Sequence, residues 1–173
     1  NAMAAAMACL AAGVPASIVR EGLADFPGVP HRLEKVCTVG GAFFINDSKA
    51  TNVDACRVAL EAVAAPVILI LGGKDKGNDY SAIMDLVKEK CKALVFLGAD
   101  NSKLQAVFKD CGLPICDTDS ISRCVFACCA LSHPGDTVLL SPCCASFDLF
   151  NGMAERGNLF KEWAHRMKQI VDA

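Results

Sequence analysis

The stretch Pro66–Gly73, PVILILGG, decides the fold class of this 173-residue chain. Its centre, Val67 to Leu71, is a continuous apolar run that ends in two glycines, which is typical of a parallel strand buried on both faces. Further strands are predicted downstream at 93–97, 114–117 and 136–140, and helices at 81–91, 101–110, 119–132 and about 154–171. This alternation predicts an α/β fold with a Rossmann-like, doubly wound and mostly parallel sheet.

The segment before this strand predicts a β-hairpin followed by a helix. Two β-rich runs, Lys35–Val39 and Ala42–Asn46, are joined by two glycines, which is a hairpin signal. Apolar residues then recur at helical spacing from Asn52 to Ala64, with Thr51 or Asn52 as the expected N-cap. The sheet is therefore expected to begin with an N-terminal hairpin.

The first thirty residues have a different character. Ala2–Ala12 and Ala16–Ala24 are predicted to be short helices, and DFPGVP, residues 25–30, an exposed linker. Two helices and a linker are too little to bury a core of their own. We therefore expect residues 1–30 to be the closing helices and linker of a larger domain whose beginning is absent, and residues 31–173 to form the next domain.

Composition argues against several classes of function. The chain is 53% hydrophobic and 21% charged with a formal net charge of -2, which gives no electrostatic reason to expect nucleic acid or an anionic membrane as a partner. No apolar run approaches the roughly 20 residues needed to cross a bilayer, so no membrane insertion is expected. The eleven cysteines include no C-x-x-C pair and the three histidines lie far apart. They predict small, buried residues of a cytoplasmic protein rather than a zinc site.

Ligands of doubly wound sheets bind at the loops beyond the carboxyl ends of the strands, which selects residues 46–52, 72–79 and 141–151. The first segment lies in INDSKATN, Ile45 to Asn52. Lys49 precedes a helix start, where free backbone N–H groups and the helix dipole favour anions. Asp47 can accept hydrogen bonds from a ribose or an amine. The alternative is that Asp47 and Thr51 only cap the turn while Lys49 is solvated.

The other two segments also offer groups for an anion. In LGGKDKGNDY, Leu71 to Tyr80, the glycines permit close approach to the backbone, and Lys74 and Lys76 suit a carboxylate or a phosphate. In LLSPCCASFDLF, Ser141 and Ser146 are anion-binding candidates near an expected helix start, and no histidine base marks either one as a nucleophile. A phosphate-binding glycine fingerprint is absent. The predicted site must therefore be shared with another domain.

Four blocks taken together resemble the Mur ligases, and among them the ligases that add D-glutamate. The blocks are PHRLE (30–34), NDSKATN (46–52), LGGKDKGND (71–79), and LSPCCASFDLF (140–150) followed by ERGNLF (155–160). The resemblance implies a three-domain enzyme, of which this chain would hold the C-terminal domain and the last helices of the central ATPase domain. It implies that ATP converts UDP-N-acetylmuramoyl-L-alanine to an acyl phosphate, which the amine of D-glutamate attacks in peptidoglycan synthesis. Mg²⁺ ligands would lie in the missing central domain, so the fragment alone is expected to be inactive.

The same resemblance implies roles at the nucleotide. Arg32 would contact the ATP phosphates, and Asp47 would accept from the ribose hydroxyls. Asn1 falls where the family has an asparagine at the adenine, and His31 would contact adenine or ribose at the domain junction. Lys49 would be the catalytic residue beside the acyl phosphate.

For D-glutamate the resemblance implies contacts to its carboxylates. Thr51 and Lys76 would lie on one side of the amino acid, with Ser146 and the backbone of Phe147 on the other. The family often has an aromatic residue a few positions beyond that serine, where this chain has Met153.

Other functions stay open. A ligase of the same superfamily with another amino acid is the nearest, either a folylpolyglutamate synthase or a ligase that adds L-lysine or diaminopimelate. The diamino-acid ligases are expected to carry the motif DNPR, and its absence here favours glutamate. A non-catalytic nucleotide-binding module would need its own glycine fingerprint. Only the number of cysteines favours a regulatory or interaction domain.

Overall fold

The computed structural model describes residues 2–173, so the predicted adenine contact Asn1 lies outside the described residues. The described part contains seven helices and six strands. In chain order these are α1 (Ala2–Ala11), α2 (Ala16–Ala24), β1 (Glu34–Val39), β2 (Ala42–Asn46), α3 (Val53–Ala62), β3 (Val67–Gly72), α4 (Ser81–Lys90), β4 (Cys91–Leu97), α5 (Ser102–Phe108), β5 (Ile115–Thr118), α6 (Ile121–Leu131), β6 (Thr137–Cys143) and α7 (Met153–Val171).

The six strands form one sheet in the order β1-β2-β6-β3-β4-β5. The hairpin strands β1 and β2 are antiparallel, and every other neighbouring pair is parallel. The predicted fold class is therefore confirmed: a doubly wound, mostly parallel sheet with an N-terminal hairpin at one edge.

The central strand β3 shows why both faces of the sheet are covered. All six of its residues are buried, and successive side chains point to opposite faces. Val67, Leu69 and Leu71 belong to the core shared with α3, α4 and α5. Ile68 and Ile70 belong to the core shared with α6 and α7. A continuous apolar run is thus the sequence that a strand between two helical layers requires.

The neighbouring strands β3 and β6 form the topological switch point of the sheet. The chain leaves β3 toward α4 on one face and leaves β6 toward α7 on the other, which opens a crevice at the carboxyl ends of these strands. The loop after β2 lies beside β6 at the same edge because β2 pairs with it in parallel. The three segments selected from the sequence therefore meet at one edge.

Two local expectations about the segment 141–151 were wrong. The last strand does not end at residue 140 but continues to Cys143, because β6 pairs with β3 as far as Gly72 and Cys143. Ser141 is consequently a buried strand residue. No helix starts beside Ser146 either, since residues 147–149 form a turn and α7 begins at Met153.

The helices α1 and α2 pack on each other, and neither contains a buried residue. Large apolar side chains of this region face solvent: Met3, Met7, Leu10, Ile18, Leu23, Phe26 and Val29. Within residues 2–173 no helix combines the length and the apolar character that crossing a membrane requires.

Candidate functional site

Asp47 is fixed at the end of β2 by contacts to two other parts of the chain. Its backbone N–H donates to the carbonyl of Leu140 at 2.8 Å. One carboxylate oxygen accepts the Leu33 N–H at 3.2 Å, and the other accepts the Ser141 hydroxyl at 3.0 Å. Burial raises the pKa of Asp47 above its ordinary value, and the two hydrogen bonds and the Arg32 charge oppose that rise. The carboxylate is thereby held in one orientation.

A cavity of about 220 Å³ brings Arg32, Asp47 and Lys49 together. The small residues Ala55 and Ala59 of α3 form part of its wall. Asn52 caps α3, because its side-chain oxygen accepts the Ala55 N–H at 2.8 Å. The cap thus lies at one of the two positions expected, and neither Asp47 nor Thr51 has this role. Lys49 is exposed, so two cations and one carboxylate border a space next to a helix N-terminus.

His31 is anchored to the domain rather than free in the linker. The Asn46 side-chain oxygen accepts the Ser48 N–H at 3.1 Å, which fixes the orientation of the amide. The amide nitrogen of Asn46 therefore donates to Nδ1 of His31 at 3.0 Å and to Glu34 at 3.0 Å. His31 is then neutral, with its proton on Nε2. Burial, followed by the charge of Lys161, lowers its pKa below the ordinary value.

Gly157 of α7 allows this anchoring because it has no side chain. A Cβ at Gly157 would overlap Nδ1 of His31 and lie 3.1 Å from the Asn46 amide nitrogen. The backbone of His31 has a φ of 64°, in the left-handed region that non-glycine residues rarely adopt. The end of the linker at His31 and the first turns of α7 therefore pack directly against each other.

The Lys76 loop, residues 72–79, is organised around Asp75. The Asp75 carboxylate accepts the N–H groups of Gly77 at 2.6 Å and Asn78 at 3.1 Å. It also accepts the Tyr80 hydroxyl at 2.7 Å and the Lys103 ammonium at 2.8 Å. Partial burial opposes these bonds, but together they lower the pKa of Asp75 to about 2. Lys76 lies exposed between Asp75 and Gly77.

The Lys76 loop is joined to the segment after β6. The Lys74 N–H donates to the Ala145 carbonyl at 2.7 Å, and the Asn78 side chain donates to the Cys143 carbonyl at 3.1 Å. Gly73 permits this approach, since a Cβ there would overlap the Ala145 carbonyl oxygen. Ser146 follows directly and is buried, whereas the Phe147 side chain is exposed. Lys76 and Ser146 are therefore held on two loops that are fixed to each other.

Arg156 connects the segments after β2 and β6, and sequence reasoning missed it. Its buried guanidinium donates to the hydroxyl of Ser48 at 3.0 Å, to the carbonyl of Ser48 at 2.8 Å and to the carbonyl of Cys144 at 3.2 Å. Burial lowers the pKa of Arg156 to about 10, which leaves it charged at neutral pH. A signal was present, because Arg156, Phe160 and Ala164 follow one another at intervals of four on the apolar face of α7.

The remaining sequence-selected residues take the following places. Thr51 is half-buried between Lys49 and the start of α3, and Met153 is half-buried at the start of α7. His133 lies before β6, at the opposite end of the strand from Ser141, where Lys92 contacts it. Of the eleven cysteines, all free, six are buried and four half-buried, while Cys9 is exposed. Within residues 2–173, no three His, Cys, Asp or Glu side chains cluster as metal ligands would.

The fold and the candidate site define a class: a doubly wound α/β domain in which the loops after β2, β3 and β6 meet at the carboxyl edge of the sheet. The family described as "Mur ligase, glutamate ligase domain" matches residues 31–144, and the chain belongs to this family.

Curated relatives agree over nearly the whole chain. The chain is 52% identical over 168 residues to UDP-N-acetylmuramoylalanine--D-glutamate ligase of Bacteroides thetaiotaomicron, a match that covers 96% of this chain and 38% of the relative. It is 50% identical over 162 residues to the enzyme of the same name from Porphyromonas gingivalis, covering 94% of this chain and 36% of the relative. The chain thus spans less than two fifths of the length of these relatives.

Solved structures share the fold at low sequence identity. UDP-N-acetylmuramate-alanine ligase MurC of Thermotoga maritima matches with a TM-score of 0.72 and 15% identity, over 98% of this chain and 37% of that one. MurF of Acinetobacter baumannii matches with a TM-score of 0.67 and 18% identity, over 95% of this chain and 37% of that one. These likenesses support the fold.

Proposed function

We propose that this chain is the C-terminal domain of an ATP-dependent ligase that adds D-glutamate to UDP-N-acetylmuramoyl-L-alanine in peptidoglycan synthesis. The observation that carries the proposal is the meeting of three loops at one edge of the sheet, two of which carry the exposed lysines Lys49, Lys74 and Lys76. The names of the relatives, at about half identity over nearly the whole chain, support D-glutamate as the amino acid. The reducing cytoplasm is the compartment that suits eleven free cysteines.

We propose a division at residue 30, with residues 1–30 belonging to the central ATPase domain and residues 31–173 forming the glutamate-binding domain. The exposed apolar side chains of α1 and α2 favour this division, because such surfaces are normally covered by further protein. The match of the family to residues 31–144 is consistent with the same boundary.

At the nucleotide, Arg32 binds the ATP phosphates and Asp47 accepts from the ribose hydroxyls in this proposal. The shared cavity of about 220 Å³ supports it, since a guanidinium and a fixed carboxylate suit these two parts of a nucleotide. His31 contacts the adenine or ribose, and its Nε2–H is the donor left for that contact. Asn1 keeps its proposed place at the adenine on sequence grounds alone.

Lys49 is the proposed catalytic residue. Its exposed ammonium borders the same cavity as Arg32, next to the N-terminus of α3. A cation there stabilises the negative charge that develops on the acyl phosphate as the amine attacks, and it orients the incoming amino acid. The carbonyl carbon then loses phosphate and keeps the new amide bond, and the departing phosphate takes the amine proton.

D-glutamate carries two carboxylates, and the loops offer groups for both. Lys76 and Thr51 bind one side of the molecule, and Ser146 with the Phe147 backbone binds the other. The fixed relation between the Lys76 loop and the segment after β6 supports this arrangement, because a bidentate site needs a constant spacing. At the position where the family often has an aromatic residue this chain has Met153, and Phe150 lies three positions earlier.

Mg²⁺ is a requirement that we infer from the ligase chemistry of the family. The described residues do not fit a site for this ion on their own, since no cluster of three ligating side chains occurs in residues 2–173. We place its ligands in the central domain.

The test is phosphate release by the full-length enzyme with ATP, Mg²⁺ and UDP-N-acetylmuramoyl-L-alanine. D-glutamate, L-glutamate, L-lysine and diaminopimelate are supplied in parallel. We expect phosphate release with D-glutamate and with none of the other three amino acids. Lys49→Ala should abolish this release. Release with a different amino acid would overturn the substrate assignment and keep the ligase chemistry.

A further inference from the structure

Lys76 projects from a loop that an ion pair joins to α5. Asp75 and Lys103 contact each other at 2.8 Å, although Lys103 belongs to α5 and lies 28 residues further along the chain. Lys103 also donates to the carbonyl of Asn78 at 2.8 Å and lies over the ring of Tyr80. One ammonium group thus contacts three residues of the loop and of the start of α4.

Asp75 fixes the turn that exposes Lys76. Its carboxylate accepts the two N–H groups that follow Lys76 in the chain, those of Gly77 and Asn78. Such a turn directs the intervening side chain outward. Asp75 pairs with Lys103. Among residues 2–173, the exposed Lys74 and Lys76 make no salt bridge, so their charges are not neutralised by a carboxylate.

We propose that Asp75 and Lys103 are a positioning pair that holds Lys76 where it binds the carboxylate of the incoming amino acid. The inference rests on the proposed function for the identity of that amino acid. Asp75 touches no substrate in this account and acts only through the loop.

A purely electrostatic effect of Asp75 predicts the opposite change in the affinity for D-glutamate, so one measurement distinguishes the two explanations. If Asp75 only lowered the positive potential of the loop, Asp75→Asn would strengthen the binding of a dianionic amino acid. If Asp75 positions the loop, the same change weakens binding, because a neutral amide holds Lys103 and the two N–H groups of the turn more weakly than a carboxylate does. The two effects therefore differ in sign.

The experiment measures KM for D-glutamate and for ATP in the full-length enzyme with Asp75→Asn, Lys103→Met and the double variant. We expect each single variant to raise KM for D-glutamate about tenfold, the effect of losing one charge-assisted hydrogen bond, with KM for ATP unchanged. The double variant is expected to match the single ones, because the two residues act as a unit. A charge effect instead predicts that KM for D-glutamate in the double variant is close to that of the wild type.

The matched control is Lys92→Met. Lys92 pairs with Asp136 at the same distance of 2.8 Å, at the amino end of β6 rather than its carboxyl end. A thermal melt of each variant confirms folding. Amide hydrogen exchange at Gly77 and Asn78 should accelerate in Asp75→Asn and Lys103→Met, and stay unchanged in Lys92→Met.

The outcomes separate the two claims. A wild-type enzyme inert toward D-glutamate would overturn the proposed function and this inference with it. An active wild type in which Asp75→Asn lowers KM for D-glutamate, or leaves it unchanged, would overturn the inference alone. Faster exchange at Gly77 with no change in that KM would show that the pair shapes the loop without serving the binding of the amino acid.

Discussion

Arg156 is the residue on which the geometry of the site most depends. Its guanidinium donates to a hydroxyl and two carbonyls and so joins the segments after β2 and β6. Arg156→Met should lower the free energy of unfolding by about 2–4 kcal/mol, because buried acceptors lose a charged donor. Urea denaturation measures this. Arg123→Met, at an exposed helix pair, should change it by less than about 0.5 kcal/mol, and equal losses would contradict the assignment.

His31 should make the stability of the domain depend on pH. Its pKa is lowered in the folded chain, so the fold favours the neutral ring that accepts from Asn46. This stabilisation is fully present above the ordinary pKa of about 6.5 and is lost as the pH falls through the lower, folded value. His31→Gln should therefore flatten the decline of stability between about pH 6.5 and that lower value. Denaturation curves at a series of pH values decide it, and identical curves for the two proteins would refute the neutral anchor.

Site residues could be predicted from the sequence where their neighbours along the chain identify them. They were missed where their contacts lie far away in the sequence or appear only in the folded structure. Asp47 and Lys49 follow a strand directly, so the rule about carboxyl ends of strands points to them. Arg156 looks like a solvated helix charge until its partners Ser48 and Cys144 are known. The proposed role of Asp75 depends on Lys103, which lies near it only because α5 packs beside the loop.

At the scale of elements, the close approach of the Lys76 loop to the segment after β6 depends on Gly73. Gly73 has a φ of 119°, and a Cβ there would overlap the Ala145 carbonyl. Gly73→Ala should therefore cost more free energy of unfolding than the roughly 1–2 kcal/mol of a left-handed backbone alone. The comparison is Gly112→Ala, where φ is 79° and the space for a Cβ is open. Equal urea midpoints for the two variants would contradict this account of the loop.

The elements themselves could be predicted because their signals are local. Among residues 2–173, the sequence pattern located all six strands and all seven helices with their bounds correct to within two residues at every end but one. The end of β6 was the exception, since its last residues are strand only through pairing with Gly72, about seventy positions away. The turn after Ser146 escaped for a similar reason, because Ser48 and Arg156 hold that segment from a distance.

At the scale of the whole molecule, this chain alone should show no turnover. In the proposed function it supplies only the amino-acid site and part of the nucleotide site, and residues 2–173 contain no cluster of metal ligands. Phosphate release by the 173-residue chain, with ATP, Mg²⁺, UDP-N-acetylmuramoyl-L-alanine and D-glutamate, should stay at the background rate. Release above background, from a preparation free of the full-length enzyme, would show that the chain is complete as a catalyst.

The central claim is that one edge of this sheet binds the nucleotide through one set of residues and D-glutamate through another. The most direct measurement compares Arg32→Ala with Lys76→Ala in the full-length enzyme, with KM determined for ATP and for D-glutamate in each. We expect Lys76→Ala to raise KM for D-glutamate by about tenfold or more and to leave KM for ATP unchanged. Arg32→Ala should raise KM for ATP and leave KM for D-glutamate unchanged. Equal effects of both variants on both substrates, or no effect of Lys76→Ala on D-glutamate, would contradict the account.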